Sequence, residues 1–385
     1  MAWTLAFAIL LLLGVLISCR ARDTVLSTSG LFLIAGLIIG RFLPGTLPPP
    51  SRAFLYELAN VALFATLFSD GMKVSGAELR SNSGFVTRTL IGGMALTIAI
   101  TAAAAHFIAG LAWSAALMLG AVLSPTDPVF VGAIFDTRAV PDRVKHILNI
   151  ESGLNDGLAL PAVLLLLSAN YHAGSLGRVL LELLGGVALG FVLPWAAIKL
   201  EQSRVFGSAG IYQSLNAVAI GVLVYALCAI LHVNQFLAAF CAGICVAAVR
   251  KEVVDAFHRF GETVTELLKL FTLLIFGARV APMLFHLLPW TDYIVIVVAV
   301  FLARMIAVPV SLFGSGLPRR ETWTIAYFGP KGFASVVYAI LLLHLSGQQP
   351  TTEVATLSGI AVALSVAVYS STDVLIGQWY ERRAN

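Results

Sequence analysis

The hydropathy of the chain alternates from end to end between long apolar segments and short polar ones. A helix of about 17–25 mostly apolar residues can cross the hydrocarbon core of a bilayer. Thirteen such windows lie near residues 1–19, 25–43, 53–72, 86–110, 113–136, 142–169, 175–199, 211–231, 234–249, 262–280, 290–313, 321–345 and 353–377. The pattern predicts an all-α polytopic membrane protein, with residues 1–385 forming a single membrane domain of thirteen transmembrane helices.

Composition and charge agree with this prediction. Hydrophobic residues make up 59% of the chain and charged residues 11%, which is typical of membrane proteins. Of the 24 lysines and arginines, eighteen lie in or near the loops after odd-numbered windows or in the C-terminal tail, and four lie in or near the loops after even-numbered windows. The remaining two, Arg304 and Lys331, lie deep inside windows. The positive-inside rule therefore places the N-terminus outside and the C-terminus in the cytoplasm. The expected location is a bacterial inner membrane. The net charge of +4 reflects this orientation, and no nucleic-acid partner is expected.

Ionisable residues interrupt the sixth window, at 142–169. Glu151 and Asp156 stand in an otherwise apolar run, where a charged side chain costs about 2.5–3.5 kcal/mol on insertion scales. In a helix, Ser152 and Asp156 lie about 40° apart, on one face, and Asn155 follows Glu151 in the same way. One face thus offers a hydroxyl and a carboxylate, and Glu151 points elsewhere.

The fifth window contains a proline-flanked polar motif. Pro125 and Pro128 enclose Thr126 and Asp127, and each proline removes a backbone donor. The helix is expected to break here rather than to kink, because a plain kink does not need a threonine and an aspartate inside it. Irregular backbone at membrane depth survives where it is buried in protein or lines a wet cavity. Asp127 is expected at the positive end of the half-helix that follows.

The twelfth window contains a second break, in Phe328–Gly332, which includes Pro330 and Lys331. This break carries a cation where the first carries an anion. The fifth and twelfth windows differ in number by seven, which is odd, so the broken helices are expected to run in opposite directions through the bilayer. Paired interrupted helices are typical of transporters built from inverted repeats. Windows one to six and eight to thirteen would form two inverted-topology six-helix repeats, linked by the seventh.

Three further expectations concern polar or reactive residues in or beside apolar windows. Arg304 lies inside the eleventh window, where a lone guanidinium is too costly to leave unpaired, and Glu151 is its expected partner. Asp70 ends the third window, either as an interfacial residue or as an acid at the mouth of a pathway. The four cysteines are expected to be free thiols, and no cofactor is expected.

Together these motifs resemble the monovalent cation/proton antiporters of the NhaP type, in the sodium/hydrogen exchanger family. The resemblance rests on TDP in the fifth window, ESGLND in the sixth, an arginine in the eleventh and Gly-Pro-Lys-Gly in the twelfth. It implies an NhaA/NhaP-like fold and a homodimer. It also implies scaffold and dimerisation helices at 1–85 and 175–288, and an ion-translocating core at 86–170 and 290–377.

The same resemblance implies roles for individual residues. Asp156 would bind the cation and the proton in alternation, with Ser152, Thr126 and Asp127 completing the oxygen shell. Asn155 before Asp156 is typical of electroneutral relatives. Many relatives have arginine at Lys331, so the resemblance leaves open whether this lysine only neutralises helix dipoles or also competes for Asp156.

Antiport of Na⁺ or Li⁺, or of K⁺, against protons, in the service of pH homeostasis, is therefore the predicted activity. Hard monovalent ions prefer oxygen ligands, by analogy with calcium and magnesium sites, and this set of residues supplies oxygen. An ion-coupled symporter or channel on the same scaffold is the alternative, although a symporter would need a larger polar cavity. An intramembrane enzyme is disfavoured, because neither Gly-x-Ser-x-Gly nor His-Glu-x-x-His occurs in the chain.

Overall fold

The structure is a computed structural model that describes residues 2–21, 28–43, 47, 50–74, 84–127, 140–171, 176–203, 211–284, 288–345 and 349–384. Within these ranges every regular element is helical, apart from one isolated backbone bridge. The α-helices are α1 Ala2–Ala21, α2 Thr28–Phe42, α3 Arg52–Lys73, α4 Met94–Phe107, α5 Trp113–Val122, α6 Asp142–Tyr171, α7 Leu176–Glu201, α8 Ile211–Leu231, α9 Gln235–Val249, α10 Lys251–Leu284, α11 Trp290–Val297, α12 Ala303–Ser311, α13 Arg319–Tyr327, α14 Phe333–Leu345 and α15 Gln349–Ala384.

Two of the described spans contain a wider, π-helical turn. Arg88–Gly93 leads into α4, and Val298–Leu302 joins α11 to α12. Such turns inside α-helices are frequent at functional sites, because one extra residue changes the direction of the side chains that follow. The second turn ends two residues before Arg304, and the Tyr369 hydroxyl donates to the carbonyl of Val300 inside it, at 3.2 Å.

Helices of membrane-crossing length occur throughout the described part of the chain. Six are long and apolar enough to span a bilayer: Arg52–Lys73, Gly84–Phe107, Asp142–Leu167, Gly177–Glu201, Trp290–Ser311 and Thr352–Tyr369. Shorter apolar helices accompany them, and two of these, Trp113–Val122 and Phe333–His344, adjoin the predicted breaks. The all-helical membrane fold is confirmed, whereas the count of thirteen spans and the orientation of the termini stay predictions.

The chain divides into two compact units. The division into scaffold and ion-translocating core stays a prediction. The first unit comprises residues 1–59, 84–152 and 270–385. In it α2 packs backbone to backbone on the second half of α10, since a Cβ on Gly36 would meet the carbonyl of Leu274. Beside this contact, the ring of Phe7 in α1 meets the ring of Phe32 edge to face and the ring of Phe271 at a tilt.

The second unit comprises residues 60–83 and 153–269. Here α3 and α9 approach closely at Gly71 and Gly243, where an added Cβ on Gly71 would lie 3.1 Å from the Cα of Gly243. The ring of Phe240 lies against Gly157 of α6 in the same way, 3.1 Å from where a Cβ would be. Small residues at such crossings allow membrane helices to approach closely without a hydrophobic driving force.

Candidate functional site

The first predicted break is present in the fifth window. Helix α5 ends at Val122, and Leu123 leaves helical geometry with φ −95° and ψ 5°. Pro125 has no N–H to continue the ladder, so Thr126 and Asp127 follow in non-helical backbone, both buried. Pro128 and the predicted second half-helix lie outside the described residues.

The second predicted break separates α13 from α14, at Phe328–Gly332. The two breaks meet, because Thr126 and Lys331 form an antiparallel backbone bridge. The Asp127 N–H donates to the carbonyl of Pro330 at 3.0 Å. Backbone groups that the helices leave unpaired in mid-membrane are thus satisfied by each other, as irregular backbone at this depth requires.

The Asp127 carboxylate caps the helix that leaves the second break. Its Oδ2 accepts from the N–H of Phe333, the first residue of α14, at 3.4 Å. The first N–H groups of a helix have no partner within the helix, and the dipole favours an anion there. The sequence predicts Asp127 at the start of the half-helix that follows Pro128, which lies outside the described residues. In the structure Asp127 caps α14.

Ser152 joins α6 to the first break. Its hydroxyl donates to the Thr126 carbonyl at 2.7 Å, and both residues are buried. Helix α6 is continuous from Asp142 to Tyr171, so Asp156 lies one turn beyond Ser152 on the same face. Asn155 and Asp156 are also buried, with Asp156 3% exposed. A hydroxyl whose proton is donated still presents oxygen lone pairs, which a cation can use.

Lys331 occupies the crossing of the two breaks and is fully buried. Its N–H donates to the hydroxyl of Ser365, from α15, at 2.7 Å. Residues opposite each other in an antiparallel pair place their side chains on one face, so Lys331 and Thr126 share a face of the bridge. Within the described part of the chain, the ammonium has no hydrogen-bond partner. Ser365 was not predicted, since α15 carries several serines and nothing in the sequence distinguishes this one.

Glu151 and Arg304 form a two-bond ion pair of the kind predicted. Nη1 and Nη2 of the guanidinium donate to the two carboxylate oxygens at 2.7 and 2.9 Å. The side chains are 4% and 6% exposed, so the pair is removed from water. Nη2 also donates to the carbonyl of Ile325 in α13, at 3.2 Å, which ties the eleventh span to the twelfth.

Gly329, in the second break, leaves room for this guanidinium because it has no side chain. A Cβ there would overlap Cδ and Nε of Arg304. We expect Gly329→Ala to displace the guanidinium and to lower both melting temperature and transport, because a buried ion pair depends on its geometry. Gly84→Ala is the matched control, since no atom lies within 4 Å of its added Cβ. Equal melting temperatures for the two variants would contradict this packing.

Asp70 belongs to a different set of contacts, in the second unit. Its Oδ1 lies 3.3 Å from Nζ of Lys73, which lies 3.6 Å from Glu262. The Asp70 backbone and Cβ also pass beside Gly153 of α6, 3.9 Å from where a Cβ would be. These contacts fit both an interfacial ion pair and an acid near a pathway, so the two alternatives stay open.

The described residues contain no cluster of side chains suited to a transition metal. No group of three or more His, Cys, Asp or Glu side chains in those ranges could hold a metal ion. Cys228, Cys241 and Cys245 are buried free thiols, as predicted. The acceptor atoms at the breaks are hydroxyl, carbonyl and carboxylate oxygens, which suit hard monovalent ions rather than soft ones.

Known proteins provide an independent comparison. The K(+)/H(+) antiporter NhaP of Alkalimonas amylolytica is 31% identical over 338 residues, which cover 86% of this chain and 58% of that protein. The Na(+)/H(+) antiporter NhaS2 of Synechocystis is 28% identical over 197 residues, covering 50% of this chain and 35% of that one. The chain therefore spans little more than half the length of the NhaP relative.

The fold has a solved counterpart in the sodium proton antiporter MjNhaP1 of Methanocaldococcus jannaschii at pH 8. The two structures agree with a TM-score of 0.76 at 20% sequence identity, over 96% of this chain and 100% of that one. The sequence model described as "Sodium/hydrogen exchanger, transmembrane" matches residues 7–375. The chain belongs to the sodium/hydrogen exchanger family of membrane cation/proton antiporters.

Proposed function

We propose that this protein exchanges a monovalent cation for protons across the membrane by alternating access, with Asp156 binding either one. The observation that carries the proposal is the buried Asp156 carboxylate, one helical turn from Ser152, whose hydroxyl bonds the carbonyl of a broken helix. An intramembrane carboxylate is a functional residue by default, because burying it is costly.

The other proposed ligands suit a partly dehydrated cation. Ser152 and Thr126 contribute uncharged oxygens, and Asp127 contributes charge either directly or through water. Two of these side chains are held by an interaction in the first unit: the Ser152 hydroxyl donates to the Thr126 carbonyl, and Asp127 Oδ2 accepts from the Phe333 N–H. Groups fixed in this way bind an ion without first losing conformational freedom.

Competition for one carboxylate is sufficient to couple the two fluxes. Desolvation favours the protonated form of a carboxyl group, and a cation favours the ionised form. If Asp156 carries either a cation or a proton when the site changes sides, each inward movement of one requires an outward movement of the other. Glu151 takes no part in this scheme, because both of its carboxylate oxygens accept hydrogen bonds from Arg304.

Cation specificity is the first experiment. The full chain in proteoliposomes, with an internal pH dye and an imposed pH gradient, should dissipate that gradient when Na⁺, Li⁺ or K⁺ is added, but not when choline is added. Relatives named for K⁺ and for Na⁺ make both ions candidates here. Cation flux without proton movement would favour a channel, and a requirement for an organic solute would favour a symporter.

Electroneutral exchange is a separate prediction. Asn155 stands where electrogenic relatives have a second acid, so Asp156 alone is expected to bind protons during the cycle. A carrier loaded with one proton or one monovalent cation has the same charge. The membrane potential, worth about 2.3 kcal/mol per charge per 100 mV, then has nothing to act on.

The measurement is the exchange rate at a fixed pH gradient, with the voltage set by several potassium/valinomycin ratios and Na⁺ or Li⁺ as the substrate. A flat response is expected. The Asn155→Asp variant is the informative comparison, because an added acid offers a second proton site. A wild-type rate that follows voltage would show that another group, Lys331 first, titrates during the cycle.

A further inference from the structure

We propose that Arg88, Arg143, Arg319 and Arg320 form a binding site for the phosphate headgroup of an anionic phospholipid, at one end of the first unit. This set of residues is called the arginine rim below. The inference concerns a lipid ligand and does not depend on the exchange reaction. It rests on where these arginines lie along the membrane-spanning helices, on what holds them, and on the aromatic side chains beside them.

The arginine rim lies where three membrane-length helices begin or end. Gly84–Phe107 and Asp142–Leu167 begin here, and Trp290–Ser311 ends here. Nη1 of Arg88 donates to the carbonyl of Phe313 at 3.0 Å, which places the start of the first of these spans beside the end of the third. The rim therefore lies at the level where hydrocarbon gives way to headgroups, on the side predicted to be cytoplasmic.

The guanidiniums of Arg88 and Arg143 are held in position by other residues. A guanidinium carries five N–H donors, and the bond to the Phe313 carbonyl uses one of those on Arg88. The Arg143 guanidinium lies over the ring of Phe85, 4.9 Å from the ring centre. Phe85 precedes Arg88 by three residues. Both arginines are nevertheless exposed. Preorganised, accessible donors of this kind suit the oxygens of a phosphate group.

The other two arginines extend the rim. Arg319 and Arg320 open α13 and are exposed, and a short loop joins them to Phe313. The segments 84–93, 140–150 and 311–327 carry these four arginines and Lys145, against two acids, Asp142 and Glu321. Positive charge is thus in excess, as a headgroup with a net negative charge requires.

Aromatic side chains favour a lipid over a free phosphate ion. Phe313 is 87% exposed and Trp323 is 51% exposed, although both are large and apolar. Such residues are stable at the membrane interface, where the ring meets acyl chains and the polar backbone meets headgroups. An arginine bound to the backbone of Phe313 beside that ring matches a ligand with one anionic end and one apolar end.

The test uses the purified full chain in a nonionic detergent. We expect cardiolipin or phosphatidylglycerol to raise its melting temperature by several degrees and to remain as adducts in native mass spectra. Phosphatidylcholine and inorganic phosphate should do neither. Replacing all four arginines (Arg88→Gln, Arg143→Gln, Arg319→Gln and Arg320→Gln) should abolish both effects, and replacing them with lysine should restore part of the melting shift.

The control is the double variant Arg41→Gln and Arg52→Gln, which neutralises exposed arginines of the same unit on the side predicted to be external. It should respond to anionic lipid as the wild type does. If the fourfold variant does not fold, Arg319→Gln with Arg320→Gln alone should still weaken the response. An undiminished response in these variants, or an equal shift with phosphatidylcholine or inorganic phosphate, would overturn the proposal.

Discussion

Replacing Asp156 with asparagine is expected to abolish cation/proton exchange while leaving folded protein in the membrane. Asparagine keeps the size and one oxygen of the side chain but cannot bind or release a proton. If Asp156 is the shared site, the variant can bind no proton there and has no negative charge to balance a cation. The pH-dye assay in proteoliposomes should therefore show only the background leak with Na⁺, Li⁺ and K⁺.

Asp142→Asn provides the matched control, because it removes an exposed carboxylate from the first turn of the same helix. Its exchange rate should be close to that of the wild type. Asp156→Glu retains an acid and should keep measurable exchange with altered cation affinity. Normal cation-dependent proton flux from Asp156→Asn would remove Asp156 from the mechanism altogether.

Separating Glu151 from Arg304 should have the largest effect on stability. Glu151→Gln or Arg304→Gln leaves one charge buried without its counter-charge, and breaking a buried pair in this way costs about 3–5 kcal/mol. The double variant leaves no net charge behind, so its loss should be smaller than the sum of the two single losses. Melting temperatures of the three variants in one detergent measure this coupling.

An exposed ion pair gives the reference for these values. Nε of Arg178 lies 3.1 Å from Oε1 of Glu182, and the two side chains are 69% and 40% exposed. Exposed pairs contribute only about 0.2–1 kcal/mol, so Arg178→Gln and Glu182→Gln should barely change the melting temperature. Strictly additive losses at Glu151 and Arg304 would show that the contact does not stabilise the fold.

Much of this architecture could be predicted because lipid imposes simple constraints. A run of apolar residues of sufficient length predicts a span, and a proline pair around Thr126-Asp127 predicts a break. An arginine in an apolar window predicts a buried acid nearby. Glu151 could be chosen as that acid because the helical spacing turns it away from Ser152 and Asp156.

Contacts between distant segments could not be predicted in this way. That Asp127 caps α14 depends on the register in which two breaks cross, and hydropathy carries no information about register. The bond from Lys331 to Ser365 has the same origin, since several serines on α15 look alike in the sequence. The fit of Gly329 around the guanidinium depends on packing at the scale of one methyl group.

The crossing of the two breaks also has a consequence for biosynthesis. Asp127 and Phe333, which it joins, are separated by 206 positions. While the ribosome is still producing the intervening helices, the first break has no second break to pair with, and its open N–H and C=O groups cannot remain in hydrocarbon. Water or the insertion machinery must therefore satisfy these backbone groups of the fifth span until the twelfth span is inserted. The pairing of the two breaks is thus a late step in assembly.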